Sequence, residues 1–279
     1  MSREGYKYFL TCCSLMKNEG KYLREWLDHY ISEGVEHFYI IDNGSTDDTV
    51  EILKSYNNIT LFHDNRKYPH HQVAMYNDHL LPIIKESKWT MIVDADELMK
   101  GQNNKTIYTY LQTIARPIHS IYVIWKMFIG KGDDVEKMSD MTTRFNYDYL
   151  FDTNIKLDYC NCKDLQYFML FGKTIFKTQN IDRLRVHKQL VPGVMIDNFR
   201  VKLDMFPDTI STTCKYMNET TLKTADVVLN HYFIKTNKEY RHRVKKISEV
   251  GEWNCPGWPY LGWLKSLYNL DDKYMLNEN

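Results

Sequence analysis

Two carboxylates separated by one residue lie in the stretch "WTMIVDADELM", residues 89–99. Asp94 and Asp96 follow an apolar run, and side chains two positions apart in an extended segment point to the same side. Hard oxygen ligands suit Mg²⁺ or Mn²⁺, which complete their coordination with water and with a substrate's phosphate oxygens. The pair therefore predicts a divalent-cation site that serves a phosphate-containing substrate.

A second polar cluster follows the apolar run of "IIDNGSTDDTVEIL", residues 40–53. Asp42 stands at the last position of the predicted strand, so we expect it to contact a ligand. Tight turns and helix N-termini also favour Asp, Asn, Gly and Ser, which leaves a purely structural role open for Ser45, Asp47 and Asp48. A third polar loop, Lys17, Asn18 and Glu19, follows the first apolar run.

Alternating strands and helices must position these loops. Strand, helix, strand order predicts parallel βαβ units with right-handed crossovers. Ligands of such open sheets bind beyond the carboxyl ends of the strands, so the loops at 17–19, 42–48 and 94–97 should converge. The predicted strands are residues 8–16, 36–42, 59–63, 89–94 and 120–129.

Helix boundary signals accompany the strands. Apolar residues at spacings of three and four follow residue 20, with Asn18 as the predicted N-cap and Gly34 as the predicted stop. The second helix is predicted to begin at Ser45, whose spacing to Asp48 resembles a capping box. A third helix, residues 72–86, is predicted to be interrupted near Pro82, and Gln72 either reaches the ligand or only begins that helix.

Composition limits the class of protein. The chain has 279 residues, 43% of them apolar, with 36 Lys plus Arg against 36 Asp plus Glu. A formal net charge of zero argues against a general nucleic-acid binder. No apolar run approaches the roughly 20 residues of a membrane helix, and the first residues lack a signal-peptide pattern. We therefore expect a cytoplasmic protein without a transmembrane segment, and the oligomeric state stays open.

The chain resembles glycosyltransferase family 92 and its family-2-like GT-A relatives in several segments that occur in the same order. They are "CSLMKNEGKYLREWLDHYISEGVEHFYIIDNGSTDDT", "KWTMIVDADELM", "RFNYD", "KTIFK" and "LNHYFIKTNKEYRHRVKK". The resemblance implies an α/β, Rossmann-like GT-A fold whose mixed central sheet is flanked by helices. It also implies one continuous domain, in which residues 1–130 bind the nucleotide sugar and residues 131–279 bind the acceptor and carry the C-terminal helices.

The resemblance further implies a function. Such enzymes use Mn²⁺ or Mg²⁺ to move a hexose, with inversion, from a nucleotide sugar to a hydroxyl of a glycan or another acceptor. The donor is expected to be a uridine diphosphate (UDP) sugar. Carried over by position, Lys17, Asn18 and Glu19 lie near the nucleotide and Asp42 contacts the base or ribose. The resemblance also implies that Asp94, Asp96 and His231 are the metal ligands.

The residue types and their positions predict two further roles. Inverting displacement needs one general base, and the acids after the fifth predicted strand supply candidates, among which Asp134 is favoured because it follows that strand at the edge of the site. Basic side chains could offset the diphosphate charge. The candidates for this second role are Arg144, Lys173, Lys177 and Lys235.

Two other classes of function compete with an active transferase. A catalytically inactive protein could keep the nucleotide-sugar pocket and lack the base. A nucleotidyltransferase also uses acids at strand ends, a cation and a nucleotide. That enzyme class is expected to carry a glycine-rich, basic loop after the first strand, whereas "SLMKNEGKYL" has one glycine, so this alternative is disfavoured.

Overall fold

The computed structural model describes residues 5–68, 70–149, 171–200, 202–203, 218–250, 264–265, 267–269 and 272–278. Its strands are β1 Tyr8–Met16, β2 His37–Asp42, β3 Ile59–His63, β4 Ser87–Ile92, β5 Glu97–Gly101, β6 Ile118–Ile129, β7 Thr143–Phe145, β8 Gly172–Lys177, β9 Val194–Asp197, β10 Lys202–Leu203, β11 Val227–Ile234 and β12 Met275–Asn277. Its α-helices are α1 Gly20–Ser32, α2 Thr49–Lys54, α3 Gln72–Met75, α4 Ile107–Gln112, α5 Glu219–Thr224 and α6 Asn237–Val250.

The first four strands form the parallel layer that the sequence predicts. Their order across the sheet is β3, β2, β1, β4, and all three pairings are parallel. In β2 every residue after His37 is buried, which is the pattern of a parallel strand covered on both faces. Helices must therefore cover both sides of this layer, and the polar loops lie at its carboxyl edge.

Beyond β4 the sheet becomes mixed. Strand β8 pairs antiparallel with both β4 and β6, while β9 runs parallel to β6. The second half of the twelve-residue β6 leaves this layer and pairs in parallel with β11, opposing Trp125 to Leu229. Strand β11 in turn pairs antiparallel with β5. The predicted α/β fold with a mixed central sheet is confirmed.

Helix α1 packs an aromatic and aliphatic stripe against the sheet. Its buried side chains recur at spacings of three and four and include Tyr22, Trp26 and Tyr30. The helix stops as predicted at Gly34, whose φ of +92° suits glycine. The Gly34 N–H donates to Ile31 O and the next N–H donates to Tyr30 O, which together close a Schellman motif.

Several predicted boundaries were wrong. Helix α1 begins at Gly20, and Asn18, which has a φ of +57°, accepts from Thr46 N instead of capping it. Helix α2 begins at Thr49, not at Ser45. The predicted helix 72–86 divides into α3, a π-helical turn over Tyr76–Leu80 and a 3₁₀ turn over Ile84–Glu86.

Candidate active site

The loops after β1 and β2 are joined by hydrogen bonds between side chains and backbone. Ser45 Oγ accepts from Asn18 N at 2.9 Å, and Thr49 Oγ1 accepts from Glu19 N at 2.8 Å. The Asp47 carboxylate accepts from Gly20 N at 3.0 Å. The polarity of residues 42–49 therefore serves to hold the 17–20 loop, which supports the structural interpretation for Ser45 and Asp47.

Asp42 closes the end of β2 and is buried. Its Oδ1 accepts from Ser45 N at 3.1 Å, and its Oδ2 lies 3.2 Å from His63 Nδ1 on the neighbouring β3. Burial by itself raises the pKa of Asp42, but the hydrogen bonds from Ser45 and His63 outweigh it and lower that pKa. Asp42 is thus an ionised acceptor at the carboxyl edge of the sheet.

The two acids of "DAD" lie at a turn, so their side chains reach different partners. Glu97 N donates to Asp94 O at 3.1 Å, which bends the chain between the two strands. Asp94 Oδ2 accepts from Lys173 Nζ at 2.8 Å, and Asp96 Oδ1 lies 3.6 Å from His231 Nε2. The assumption of an extended segment was wrong here, because the chain turns at Ala95 and Asp96.

Positive groups surround Asp96. Arg243 Nη2 on α6 lies 3.5 Å from Asp96 Oδ2, opposite the His231 contact. Burial raises the pKa of Asp96, but the attraction of His231, Lys235 and Arg243 lowers it well below its usual range. Asp96 therefore stays ionised at any physiological pH, as a cation ligand must.

Glu19 and His231 complete the surroundings of Asp96. Burial raises the pKa of Glu19 to about 7, and the charge of Asp96 adds to that shift whereas Lys235 opposes it. The His231 ring lies 4.4 Å from the Trp125 ring, and its Nδ1 is buried without a hydrogen-bond partner within the described chain. Of the predicted site residues, Asp96, His231 and Glu19 are thus brought to one place.

The donor set suits a cation that is shared with a substrate. No group of three or more His, Cys, Asp or Glu side chains is arranged to hold a metal ion among the residues that the structure describes. Mg²⁺ and Mn²⁺ bound with phosphates need only one or two protein carboxylates. The "DAD" turn has two carboxylates, and His231 faces Asp96 through Nε2 while its buried Nδ1 has no hydrogen-bond partner among the described residues.

Three other predicted site residues are either exposed or face the protein interior. Asp134 has 81% of its side chain exposed and lies 2.5 Å from Lys21 Nζ on α1. The hydrogen bond from Lys21 lowers the pKa of Asp134, which weakens it as a base. Gln72 is buried and donates to Tyr76 Oη at 2.8 Å, while Lys17 is exposed.

Of the four predicted diphosphate-binding cations, two have partners elsewhere and two lie near Asp94 or Asp96. Arg144 is buried in an ion pair with Glu219, and Lys177 donates to Arg116 O at 2.7 Å. Lys173 is fully buried and faces Asp94. Lys235 contributes to the positive surroundings of both Glu19 and Asp96.

Sequence reasoning missed Glu97 and Trp26. Glu97 is fully buried, with Oε2 accepting from Asp94 N at 2.8 Å and Oε1 accepting from Trp125 Nε1 at 2.6 Å. Trp26 Nε1 on α1 donates to Asp94 O at 3.0 Å. The signal for Glu97 was a third acid inside an otherwise apolar run. Nothing in the helical stripe distinguishes Trp26 from an ordinary core residue.

A parallel α/β layer with acids at its carboxyl edge is the arrangement in which open α/β sheets bind their ligands. The chain belongs to glycosyltransferase family 92, whose profile matches residues 7–253. Among the family 92 proteins it resembles, one from Oryza sativa subsp. japonica is 26% identical over 105 residues, 37% of this chain and 18% of that protein. One from Arabidopsis thaliana is 24% identical over 128 residues, 45% of this chain and 22% of that protein. The chain thus aligns with about a fifth of the length of these relatives.

Solved glycosyltransferase structures show weaker similarity. S. aureus TarS 1-349 in complex with UDP has a TM-score of 0.40 and 18% identity, over 61% of this chain and 47% of that chain. Glucosyl-3-phosphoglycerate synthase from Mycobacterium tuberculosis, in complex with Mn²⁺, UDP and phosphoglyceric acid, has a TM-score of 0.28 and 16% identity, over 43% of this chain and 44% of that chain. No helix in the described part of the chain is long and apolar enough to cross a membrane.

Proposed function

We propose that the protein is a divalent-cation-dependent, inverting glycosyltransferase that moves a sugar from a nucleotide sugar, preferentially a UDP sugar, to a hydroxyl acceptor. Membership of family 92 supports the transferase class. The main structural support for the proposed site is the "DAD" turn at the carboxyl edge of the parallel layer, where Asp96 lies between His231 and Arg243.

The nucleotide half of the proposal rests on the first 130 residues. Asp42 is ionised and held at the end of β2, where it can accept hydrogen bonds from a base or ribose. The 17–19 loop is fixed beside it by Ser45 and Thr49. Residues 131–279 contribute His231, Lys235 and Arg243 to the same site, and we assign the acceptor to this half.

Asp94, Asp96 and His231 would hold the cation. A bound Mn²⁺ or Mg²⁺ supplies Lewis-acid stabilisation of the departing diphosphate oxygens, worth several kcal/mol. Lys235 and Arg243 lie on the Asp96 side of the site and also pair with Glu239, at 3.3 and 2.9 Å. Fixed charges aimed at developing negative charge stabilise a transition state without reorganisation.

The acceptor hydroxyl needs a base, and we assign this role to Asp134. The Lys21 contact must open for Asp134 to receive a proton, since the ammonium occupies Oδ1. This same contact favours a second candidate function, an inactive nucleotide-sugar binder, because a highly exposed and ion-paired carboxylate is a weak base.

Nucleoside diphosphate release tests the proposal. The protein is incubated with Mn²⁺, several nucleotide sugars and a broad acceptor panel, and we expect release that stops when a chelator removes the metal. Asp96→Ala should abolish Mn²⁺-dependent donor binding, because it removes the ionised ligand. Asp182→Ala, which changes an exposed acid on another loop, is the matched control and should keep wild-type binding.

The outcomes separate the candidates. Mn²⁺-dependent binding without turnover across the panel would favour the inactive binder. Undiminished Mn²⁺-dependent affinity in Asp96→Ala would contradict the assigned metal site.

A further inference from the structure

Lys173 is a fully buried cation. It lies in β8 with a relative exposure of 0%, and the side chain of Asp94 beside it is 35% exposed. The ammonium therefore reaches Asp94 from inside the protein and leaves the carboxylate open on its other side. Burying an ammonium is costly unless it is paired and hydrogen-bonded, so this placement calls for specific partners.

Three oxygens surround the Lys173 ammonium. Nζ donates to Asp94 Oδ2 at 2.8 Å and to Val186 O at 3.3 Å, and Glu97 Oε2 lies 3.8 Å away. An ammonium has three N–H donors, of which Asp94 and Val186 accept two, while Glu97 at 3.8 Å adds charge attraction without a hydrogen bond. Burial lowers the pKa of Lys173, but Asp94 and Glu97 outweigh burial and raise it, so the group is charged.

The backbone around Asp94 is held as firmly as its side chain. Glu97 Oε2 accepts from Asp94 N, and Trp26 Nε1 donates to Asp94 O. Tyr30 Oη donates to Glu97 O at 3.0 Å and accepts from Met99 N at 2.9 Å. The backbone of this turn is therefore fixed by its own hydrogen bonds. Among the described residues, Lys173 makes the one hydrogen bond to the Asp94 carboxylate.

We propose that Lys173 is a positioning residue that acts through Asp94. It holds one carboxylate oxygen from the interior, so that the other oxygen is presented to the nucleotide and its cation without reorganisation. The inference rests on the proposed function and deepens it, because it assigns a role at that site to a residue on the antiparallel strand β8. Partners that orient a metal-binding carboxylate typically change metal affinity or activity by about 10- to 100-fold when they are removed.

A double-mutant cycle on UDP binding tests this role. Calorimetry measures the dissociation constant of UDP at saturating Mn²⁺ for the wild type, Lys173→Met, Asp94→Asn and the double variant. We expect Lys173→Met to weaken UDP binding at least about tenfold in the wild-type background. In the Asp94→Asn background the same change should have less than a twofold effect, because the carboxylate that Lys173 positions is gone.

Control variants separate positioning from stability. Lys54→Met alters the same residue type at the exposed last position of α2 and should leave UDP affinity unchanged. Melting temperatures are measured for every variant, since a purely structural lysine would lower the melting temperature without changing affinity. If Lys173→Met does not fold, Lys173→Arg keeps the charge but displaces the donor atoms, and it should weaken UDP binding severalfold.

Two results would overturn the inference while leaving the proposed function intact. One is wild-type UDP affinity in folded Lys173→Met, or in Lys173→Arg where that variant replaces it. The other is an equal loss in the wild-type and Asp94→Asn backgrounds, which would show that Lys173 does not act through Asp94. Absence of Mn²⁺-dependent UDP binding in the wild-type protein would instead overturn the proposed function, and this inference with it.

Discussion

Asp94 and Asp96 show what residue spacing can and cannot predict. Their position after an apolar strand predicted acids at the carboxyl edge of the sheet, and the structure places them there. Their orientation depends on the hydrogen bond from Glu97 N to Asp94 O, which makes a turn where spacing alone suggested an extended segment. Lys173 lies 79 residues after Asp94 (173 − 94), and His231 lies 135 residues after Asp96 (231 − 96). Local sequence could therefore not identify these partners.

The proposed general base, Asp134, can be tested by an isosteric substitution. Asp134→Asn removes the proposed proton acceptor and keeps the size of the side chain. We expect kcat to fall about 100-fold or more, because general-base catalysis typically contributes a factor of 10² to 10⁴. Donor affinity should not change, since Asp134 lies on an exposed loop and pairs with Lys21.

Steady-state kinetics with the acceptor and calorimetry with the donor measure these two quantities separately. If Asp134→Asn keeps the wild-type kcat, another acid must be the general base. A parallel loss of donor affinity would instead indicate a role in binding.

At the scale of elements, prediction succeeded where a local signal decides the structure. Gly34 ends α1 because the chain needs a positive φ there. Ser45 was wrong as a helix start because its hydroxyl accepts from Asn18 N on another loop, and tertiary contacts override a local capping pattern. Strand β5 was missed because its five residues follow the acids directly and pair with β11, far along the chain.

The end of α1 gives a stability prediction. Gly34→Ala forces a side chain into the left-handed region and makes its Cβ clash with Tyr108 Cβ. We expect a loss of about 1–3 kcal/mol in the free energy of unfolding, the range for a residue held in an unfavourable backbone conformation. Urea unfolding followed by circular dichroism measures it.

Gly132→Ala is the control for that measurement. A Cβ at Gly132 meets nothing closer than Asp134 O at 4.0 Å, and we expect a change within about 0.5 kcal/mol. Equal stability of Gly34→Ala and the wild type would contradict the Schellman assignment.

At the scale of the whole molecule, the site draws on both halves of the chain. The parallel layer supplies Asp42 and the "DAD" turn, and the later strand β11 with helix α6 supplies His231 and Arg243. Alternating strands and helices predicted the first part because each parallel unit is local. Strand β11 pairs with β5 and β6 although it begins more than 90 residues after the end of β6 (227 − 129).

Ligand binding should therefore stabilise the whole fold. At a UDP concentration 100 times its dissociation constant, binding to the native state adds about 2.7 kcal/mol. For a protein of this size that corresponds to a rise of roughly 5–10 °C in melting temperature. Differential scanning fluorimetry with UDP and Mn²⁺ should show the rise, and a chelator should remove most of it. An equal rise with UDP alone would contradict cation dependence.

We expect a divalent cation bound by the acids of the "DAD" turn to bind the nucleotide diphosphate. Anomalous diffraction at the manganese edge, from a crystal grown with UDP and Mn²⁺, tests it most directly. We expect one strong peak in contact with the carboxylates of Asp94 and Asp96 and with the diphosphate oxygens of UDP. Ordered UDP with no peak at that turn, or with the manganese bound elsewhere, would contradict it.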